Sequence, residues 1–175
     1  QLAPDTYGYA PGTSDLVFYK QAHQHLMKNL QAAWDTRAPD VQVKTPQEAL
    51  ILASIVEKET GRGADRALIA AVFHNRLKIN MPLQTDPTVI YGMGERYAGN
   101  IRKKDLQTDT PYNTYTRRGL PPTPIAMPGK AALHAALHPA NTKALYFVAR
   151  GDGSSHFSDN LDAHNRAVRQ FILKR

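Results

Sequence analysis

The sequence predicts an α+β fold, a mostly helical single domain over residues 1–175 with a small antiparallel β element. Three observations lead there. Thr45 to Gly61 reads as a helix marked at both ends, with further helical stretches before and after it. Lys143–Arg150 and Ser155–Ser158 flank Gly151-Asp152-Gly153, the composition of two short strands joined by a tight turn. Between residues 107 and 129, Pro111, Pro121, Pro122, Pro124 and Pro128 forbid regular helix and leave a long irregular loop.

Each element has its own signal. Residues 1–13 are rich in Pro, Gly and Tyr; Leu2 to Tyr7 reads as an ordered loop and Pro11-Gly12 as a turn. Ser14 or Asp15 caps a helix to about Trp34, with Leu16, Tyr19, Leu26, Leu30 and Trp34 among its apolar positions. His23 and His25 are two apart, share no helix face and make no metal pair. Arg37 to Val43 is a connection. The Thr45 hydroxyl caps the next helix, Pro46 suits its first position and Glu48 completes a capping box. Gly61 is expected to end that helix in the left-handed conformation. Asp65 is expected to cap a helix to about Ile79, with Leu68, Ile69, Val72, Phe73 and Arg76 inward and His74 and Asn75 beside them. Asp86-Pro87 reads as a cap followed by a first-turn proline, starting a short helix that stops at Gly92. Ile101 to Leu106 adds a turn of helix. Lys130 to about Leu137 is helical and closed by His138-Pro139. Leu161 to Leu173 is a closing helix, with Leu161, His164, Val168, Phe171 and Ile172 on or near one face.

Composition narrows the function. The net charge of +7, from 22 basic and 15 acidic side chains, points to an acidic partner. Nucleic acid is disfavoured, because no arginine-rich run, zinc-finger spacing or RNA-recognition motif occurs. The absence of cysteine excludes disulfides, metal–thiolate sites and thiol catalysis. The longest apolar run, Ala49 to Val56, is far too short to span a bilayer. No signal peptide is visible, and the chain starts at Gln1 without Met; it reads as a fragment, which leaves room for an anchor or targeting segment ahead of it.

The helix at Thr45 holds the main chemical candidate. Leu52, Ile55, Val56 and Glu59 fall on one helical face, so Glu59 extends an apolar stripe, whereas Glu57 faces the other way and reads as solvent-facing. A carboxyl at the end of a buried stripe loses hydration, which favours its neutral form and raises its pKa. A proton donor working near neutral pH needs that property. The plain alternative is a helix-end Glu paired to Arg62 or Arg66. The proline-rich loop carries Tyr112-Asn113-Thr114-Tyr115, and a long loop of that composition reads as a binding loop.

A semi-buried Glu beside a polar, aromatic loop suggests carbohydrate chemistry, in which an acid protonates the leaving glycosidic oxygen. Most hydrolases add a second carboxylate, and Asp86, Asp109, Asp159 and Asp162 are candidates, although Asp86 is also explained as a helix cap. With one carboxyl only, a hydroxyl of the substrate attacks the anomeric carbon and the same Glu acts as acid and then base, giving an anhydro sugar. Other chemistries are weaker. Gly92-Met93-Gly94 lacks the Lys-Ser/Thr of a phosphate loop. Ser54 and Ser158 sit in no nucleophile elbow. His156, Asp159 and His164 match no zinc spacing.

Several motifs together resemble one family. They are Ala53-Ser54-Ile55-Val56-Glu57-Lys58-Glu59-Thr60, Val72-Phe73-His74-Asn75-Arg76-Leu77, Met81 to Gly92 with Gln84-Thr85-Asp86-Pro87, and Tyr112-Asn113-Thr114-Tyr115. Gly119-Leu120-Pro121-Pro122, Ala136-Leu137-His138-Pro139-Ala140, Tyr146-Phe147-Val148-Ala149 and His164-Asn165 continue the match, and Pro4-Asp5-Thr6-Tyr7 resembles the family's pre-catalytic segment. In this order they resemble the MltG (YceG-like) endolytic murein transglycosylases over nearly the whole chain. Asp65, Thr123 and Met127 depart from the family's usual residues.

The resemblance implies a YceG-like catalytic domain and a lytic transglycosylase that breaks the β-1,4 bond between N-acetylmuramic acid (MurNAc) and N-acetylglucosamine (GlcNAc) within peptidoglycan strands. It would leave 1,6-anhydroMurNAc ends. The single catalytic Glu corresponds to Glu59, and Gln84, Asp86, Tyr112, Asn113, Thr114 and Tyr115 are expected to bind substrate. No cofactor and no metal are implied. The resemblance also implies an N-terminal membrane helix and a LysM-like domain ahead of this fragment, at the periplasmic face of the bacterial inner membrane. A penicillin-binding protein or other peptidoglycan synthase is the implied partner. Two rivals stay open: a hydrolase using Glu59 with a second carboxylate such as Asp86, and a catalytically idle glycan-binding module that positions a synthase. A nucleic-acid binder is a remote third.

Overall fold

The computed structural model describes Gly8 and residues 14–174. The loop expected over Leu2 to Tyr7, the Pro4-Asp5-Thr6-Tyr7 segment and the Pro11-Gly12 turn lie outside the described residues. The described elements run α1 (Asp15–Asp35), α2 (Pro46–Glu59), α3 (Arg66–Lys78), α4 (Asp86–Met93), α5 (Lys103–Gln107), α6 (Lys130–Leu137), β1 (Tyr146–Ala149), β2 (Ser155–Ser158) and α7 (Leu161–Phe171).

Helix α2 is the centre of the molecule. Every residue from Ala49 to Val56 is buried, with α1, α3, α4 and α6 packed around it. The expected one-sided stripe is therefore incomplete: a helix apolar all round is covered all round. Its N-terminus is capped by Thr45, whose Oγ1 accepts from Glu48 N–H at 3.1 Å. The Glu48 carboxylate reaches one residue beyond a reciprocal capping box and accepts from Lys44 N–H at 2.6 Å. Ser54, the one polar side chain in the buried run, donates to Ile51 O and accepts from Ile125 N–H at 3.0 Å. That bond fastens the proline-rich loop to the core. Ser54 thus has a structural place.

Glu57 is not the free solvent-facing residue expected. It is half-buried, and its Oε2 accepts from Gly129 N–H at 3.3 Å, just ahead of α6. A carboxylate there complements the positive end of the helix dipole. Gly61 also differs from expectation. Helix α2 closes on Thr60 in extended conformation, and Gly61 is not among the residues with positive φ. It is small for another reason: a Cβ would lie 3.0 Å from the Gly153 carbonyl oxygen. The hairpin turn comes down onto the end of α2 at this point.

Asp65 does not cap α3 with its side chain. It lies in a 3-10 turn, and its carboxylate accepts from Ser155 N–H at 2.8 Å, binding the start of β2. In α3, His74 is buried; Gln42 N–H donates to its Nδ1 at 3.0 Å and its Nε2–H donates to Ala136 O at 2.6 Å. This ring joins α3, α6 and the connection before α2. Asp86 is the first residue of α4 and not its cap; Thr85 occupies the cap position. The helix runs through Gly92 and stops at Gly94, whose φ of 57° is left-handed. Helix α5 starts two residues later than Ile101, at Lys103.

The β element is one antiparallel hairpin, β1 with β2, in the register Tyr146↔Ser158 and Phe147↔Phe157. Strand β1 is shorter than the predicted Lys143–Arg150, and Gly151 and Gly153 both take positive φ in the turn. Phe147 packs edge-on against Phe73 of α3, which fixes the hairpin to the helical core. Helix α7 lies on both strands through Ala167, its one buried residue. Leu161 and Ile172, expected on or near one face of this helix, are 54% and 52% exposed: Leu161 is its first residue and Ile172 lies just past its last. No described helix is long and apolar enough to cross a membrane.

Candidate active site

Glu59 is the last residue of α2, where the helix emerges from the core. Its Oε1 accepts a hydrogen bond from the buried Thr85 hydroxyl at 2.6 Å. Burial raises its pKa above the ordinary value; the Thr85 hydrogen bond lowers it and the nearby Asp86 charge raises it, and the sum is upward. The alternative of an arginine partner does not hold: among the described residues neither Arg62 nor Arg66 pairs with Glu59. Arg62 Nη2 instead donates to the Asp152 carbonyl at 3.4 Å. With Oε1 engaged by Thr85, the proton of a neutral Glu59 resides on Oε2.

Thr85 is itself held from behind. Its N–H donates to Thr114 Oγ1 at 3.0 Å, and the Thr114 and Thr88 hydroxyls meet at 2.8 Å. Gln84, just before it, has a φ of 50°, and its N–H donates to the Thr114 carbonyl at 3.1 Å. A non-glycine residue in that region is strained, and such residues persist where surrounding contacts hold them.

Glu59 opens into a cleft of about 470 Å³. Of the residues expected to form the site, Glu59, Gln84, Asp86 and Tyr115 line it. The Tyr115 hydroxyl donates to Asp86 Oδ1 at 2.5 Å. Burial, followed by that bond and the Asp86 charge, pushes the phenol pKa well above its usual range, so Tyr115 stays a donor. Asp86 is the second carboxylate of the cleft; Asp109, Asp159 and Asp162 do not line it.

Asn113, Thr114 and Tyr112 are placed elsewhere. Asn113 is fully buried, donates to the Leu106 and Thr108 carbonyls and accepts from Tyr115 N–H at 2.8 Å. It shapes the loop that presents Tyr115. Thr114 is 2% exposed and supports Thr85. Tyr112 packs on Tyr91 with ring centroids 4.8 Å apart, and its hydroxyl meets Thr123 Oγ1 at 2.8 Å. Thr123, one of the departures from the family's usual residues, thus supplies a side-chain contact within the loop.

Five polar or aromatic residues of the cleft lie outside the site that the sequence predicts: Arg76, Tyr146, Phe147, His164 and Asn165. All fall in stretches that carry the family resemblance, which was the available signal. His164 has no metal partners, since no group of three or more potential ligands occurs among the described residues.

A YceG-like family model matches residues 1–170. The chain belongs to the YceG-like family. Two relatives named endolytic murein transglycosylase are similar to it. One, from Bacillus subtilis (strain 168), is 49% identical over 70% of this chain and 34% of its own length. The other, from Streptococcus pneumoniae serotype 2 (strain D39), is 33% identical over 98% of this chain and 32% of its own. The chain thus spans about a third of the length of these relatives. A crystal structure of a YceG-like protein from Listeria monocytogenes superposes with a TM-score of 0.81, at 38% identity over 95% of this chain and 54% of that one. The α+β arrangement is therefore that of a solved YceG-like protein.

Proposed function

We propose that this chain is the catalytic part of an endolytic peptidoglycan lytic transglycosylase, with Glu59 as its only acid and base. Glu59 Oε2–H protonates the glycosidic oxygen between MurNAc and GlcNAc. The C1–O4 bond breaks, and GlcNAc leaves with a 4-hydroxyl. The 6-hydroxyl of the same MurNAc attacks C1, the C1–O6 bond forms, and the hydroxyl proton passes to the Glu59 carboxylate. The products are a 1,6-anhydroMurNAc end and a regenerated neutral Glu59. Gln84, Asp86 and Tyr115 line the same cleft and supply polar groups to the strand, and the negative charge of Asp86, felt by Glu59, serves to stabilise positive charge developing at C1.

The observation that carries this reading is the desolvated Glu59 carboxyl, fixed by Thr85 at the wall of an open cleft. The chain's net charge of +7 suits a polymer bearing peptide carboxylates. In the whole protein, we place the activity at the periplasmic face of the inner membrane, held by an N-terminal anchor. There it would work beside a peptidoglycan synthase such as a penicillin-binding protein and terminate glycan strands. Asp86 in the same cleft favours one second reading, hydrolysis by a water that Asp86 activates.

The test compares purified glycan strands treated with the chain, with Glu59→Gln and with Glu57→Gln. Cleavage should be lost in Glu59→Gln with strand binding intact and kept in Glu57→Gln. Cleavage by Glu59→Gln at the unsubstituted rate would remove Glu59 from the chemistry.

A further inference from the structure

The cleft is lined by two clusters of side chains. Glu59, Asp86 and Tyr115 form the first, which the proposed chemistry uses. Arg76, Tyr146, His164 and Asn165 form the second, which it leaves idle.

Arg76 is 6% exposed, so its guanidinium has lost most of its hydration. Its Nε donates to Leu145 O at 2.7 Å, and its Nη1 reaches Pro82 O, Leu83 O and, at 3.4 Å, Gln84 Oε1. Among the described residues it forms no ion pair, and Nη2 has no acceptor. Burial lowers its proton affinity, but a guanidinium remains charged. The protein therefore holds a desolvated cation rigidly, with neutral oxygens on one edge and the cleft beside it. Such an arrangement is costly without an anionic or strongly accepting partner.

Its neighbours extend the site. The Tyr146 ring lies 5.0 Å from the guanidinium carbon, and His164 stacks on Tyr146 at 4.9 Å. His164 Nδ1 is sealed off without a hydrogen-bond partner. Placing the proton on Nε2 avoids a buried unpaired N–H and makes Nε2–H the donor that a ligand can meet. Burial, Arg76 and His156 all lower the pKa of this ring, so it is neutral at neutral pH. Asn165 contributes an exposed amide.

A fixed cation with two neutral donors on an aromatic wall suits a carboxyl group. In the glycan proposed as substrate, MurNAc differs from GlcNAc by a 3-O-lactyl group. Its carboxyl is either free or amide-linked to a stem peptide. We propose that Arg76, His164 and Asn165 form a subsite for the lactyl carboxyl group of MurNAc, which sets the register of the strand against Glu59. This rests on the glycan reading above.

The test measures binding by calorimetry to Glu59→Gln. The ligands are peptide-free glycan strands, peptide-bearing strands and GlcNAc-only chitin oligomers of equal length. At least one kind of MurNAc strand should bind about ten-fold or more tightly than chitin oligomers. Preference for peptide-free strands would assign the free carboxylate, and preference for peptide-bearing strands the amide carbonyl. Adding His164→Ala should erase most of the preference for MurNAc strands over chitin oligomers. Because Arg76 also ties α3 to β1, Arg76→Lys is read beside His164→Ala, with folding checked by circular dichroism. Equal affinity for all three ligands, or a preference that survives both substitutions, overturns the subsite and leaves the glycan reading standing. No binding of any ligand overturns both.

Discussion

The Thr85 hydroxyl donates to Glu59 Oε1 at 2.6 Å, joining the cap position of α4 to the last residue of α2. Two residues 26 apart in sequence thereby engage one carboxyl oxygen and leave Oε2 for the proton. Thr85→Val keeps the shape and removes the donor. It should lower kcat by about ten-fold through misorientation, with Thr85→Ser largely restoring it. Since the Thr85 bond lowers the Glu59 pKa, its loss should also move the alkaline limb of the pH–rate profile upward. Steady-state rates over a pH series check both parts, and an unmoved limb would argue against Thr85 as the partner of Glu59.

Asp86 acts on the same carboxyl in the opposite direction. Its charge raises the Glu59 pKa, so Asp86→Asn should lower it and shift the alkaline limb toward acid. Activity below that limb should fall by about ten-fold if Asp86 stabilises positive charge at C1. A hydrolase that needs Asp86 as its base would instead lose essentially all turnover, which the same pH series would reveal.

Glu59 should also cost stability. Its folded pKa is raised above the ordinary value of 4.5, so between those two values the folded state binds more protons than the unfolded state. Stability then falls as pH rises through that window. Glu59→Gln removes the ionisation, keeps an acceptor for Thr85 and should raise Tm at pH 7. Below the ordinary carboxyl pKa the gain should vanish. Thermal melts at both ends of the window test this, and a Glu59→Gln chain less stable at pH 7 would contradict it.

Gly92 offers a packing test away from the chemistry. A Cβ there would lie 2.7 Å from Thr110 Oγ1 and 3.0 Å from Tyr112 Cβ. Gly92→Ala should therefore displace the start of the loop that presents Tyr115 and destabilise the fold by roughly 1–3 kcal/mol. Urea denaturation measures it, and an unchanged midpoint would show that the loop yields freely.

Much of the fold is legible in the sequence where the signals are local. The Lys130–Leu137 helix lies between Pro128-Gly129 and His138-Pro139, and the Gly151-Asp152-Gly153 turn locates the hairpin. The rest depends on partners that local rules do not reveal. Gly61 looks like a helix stop, yet its smallness answers to the Gly153 carbonyl across the fold. Asp65 and Glu57 look like a cap and a surface charge, yet they accept from backbone N–H groups of Ser155 and Gly129.

The cleft divides in the same way. Periodicity placed Glu59 at the end of a buried run because the helix itself ends there. The inference from a polar loop to a binding groove misplaced Asn113 and Thr114, whose polar groups are used inside the protein. Arg76 was legible as inward-facing, but its meeting with Tyr146 and His164 depends on how the hairpin and α7 pack on α3. No spacing rule spans that distance.

The most direct measurement is mass spectrometry of glycan strands cut by this chain, with Glu59→Gln alongside. Internal fragments ending in 1,6-anhydroMurNAc, absent with Glu59→Gln, are the predicted result: one carboxyl and the substrate's own hydroxyl do the chemistry. Fragments with ordinary reducing ends would contradict it, because water would then be the nucleophile and Asp86 the first residue to examine as its base.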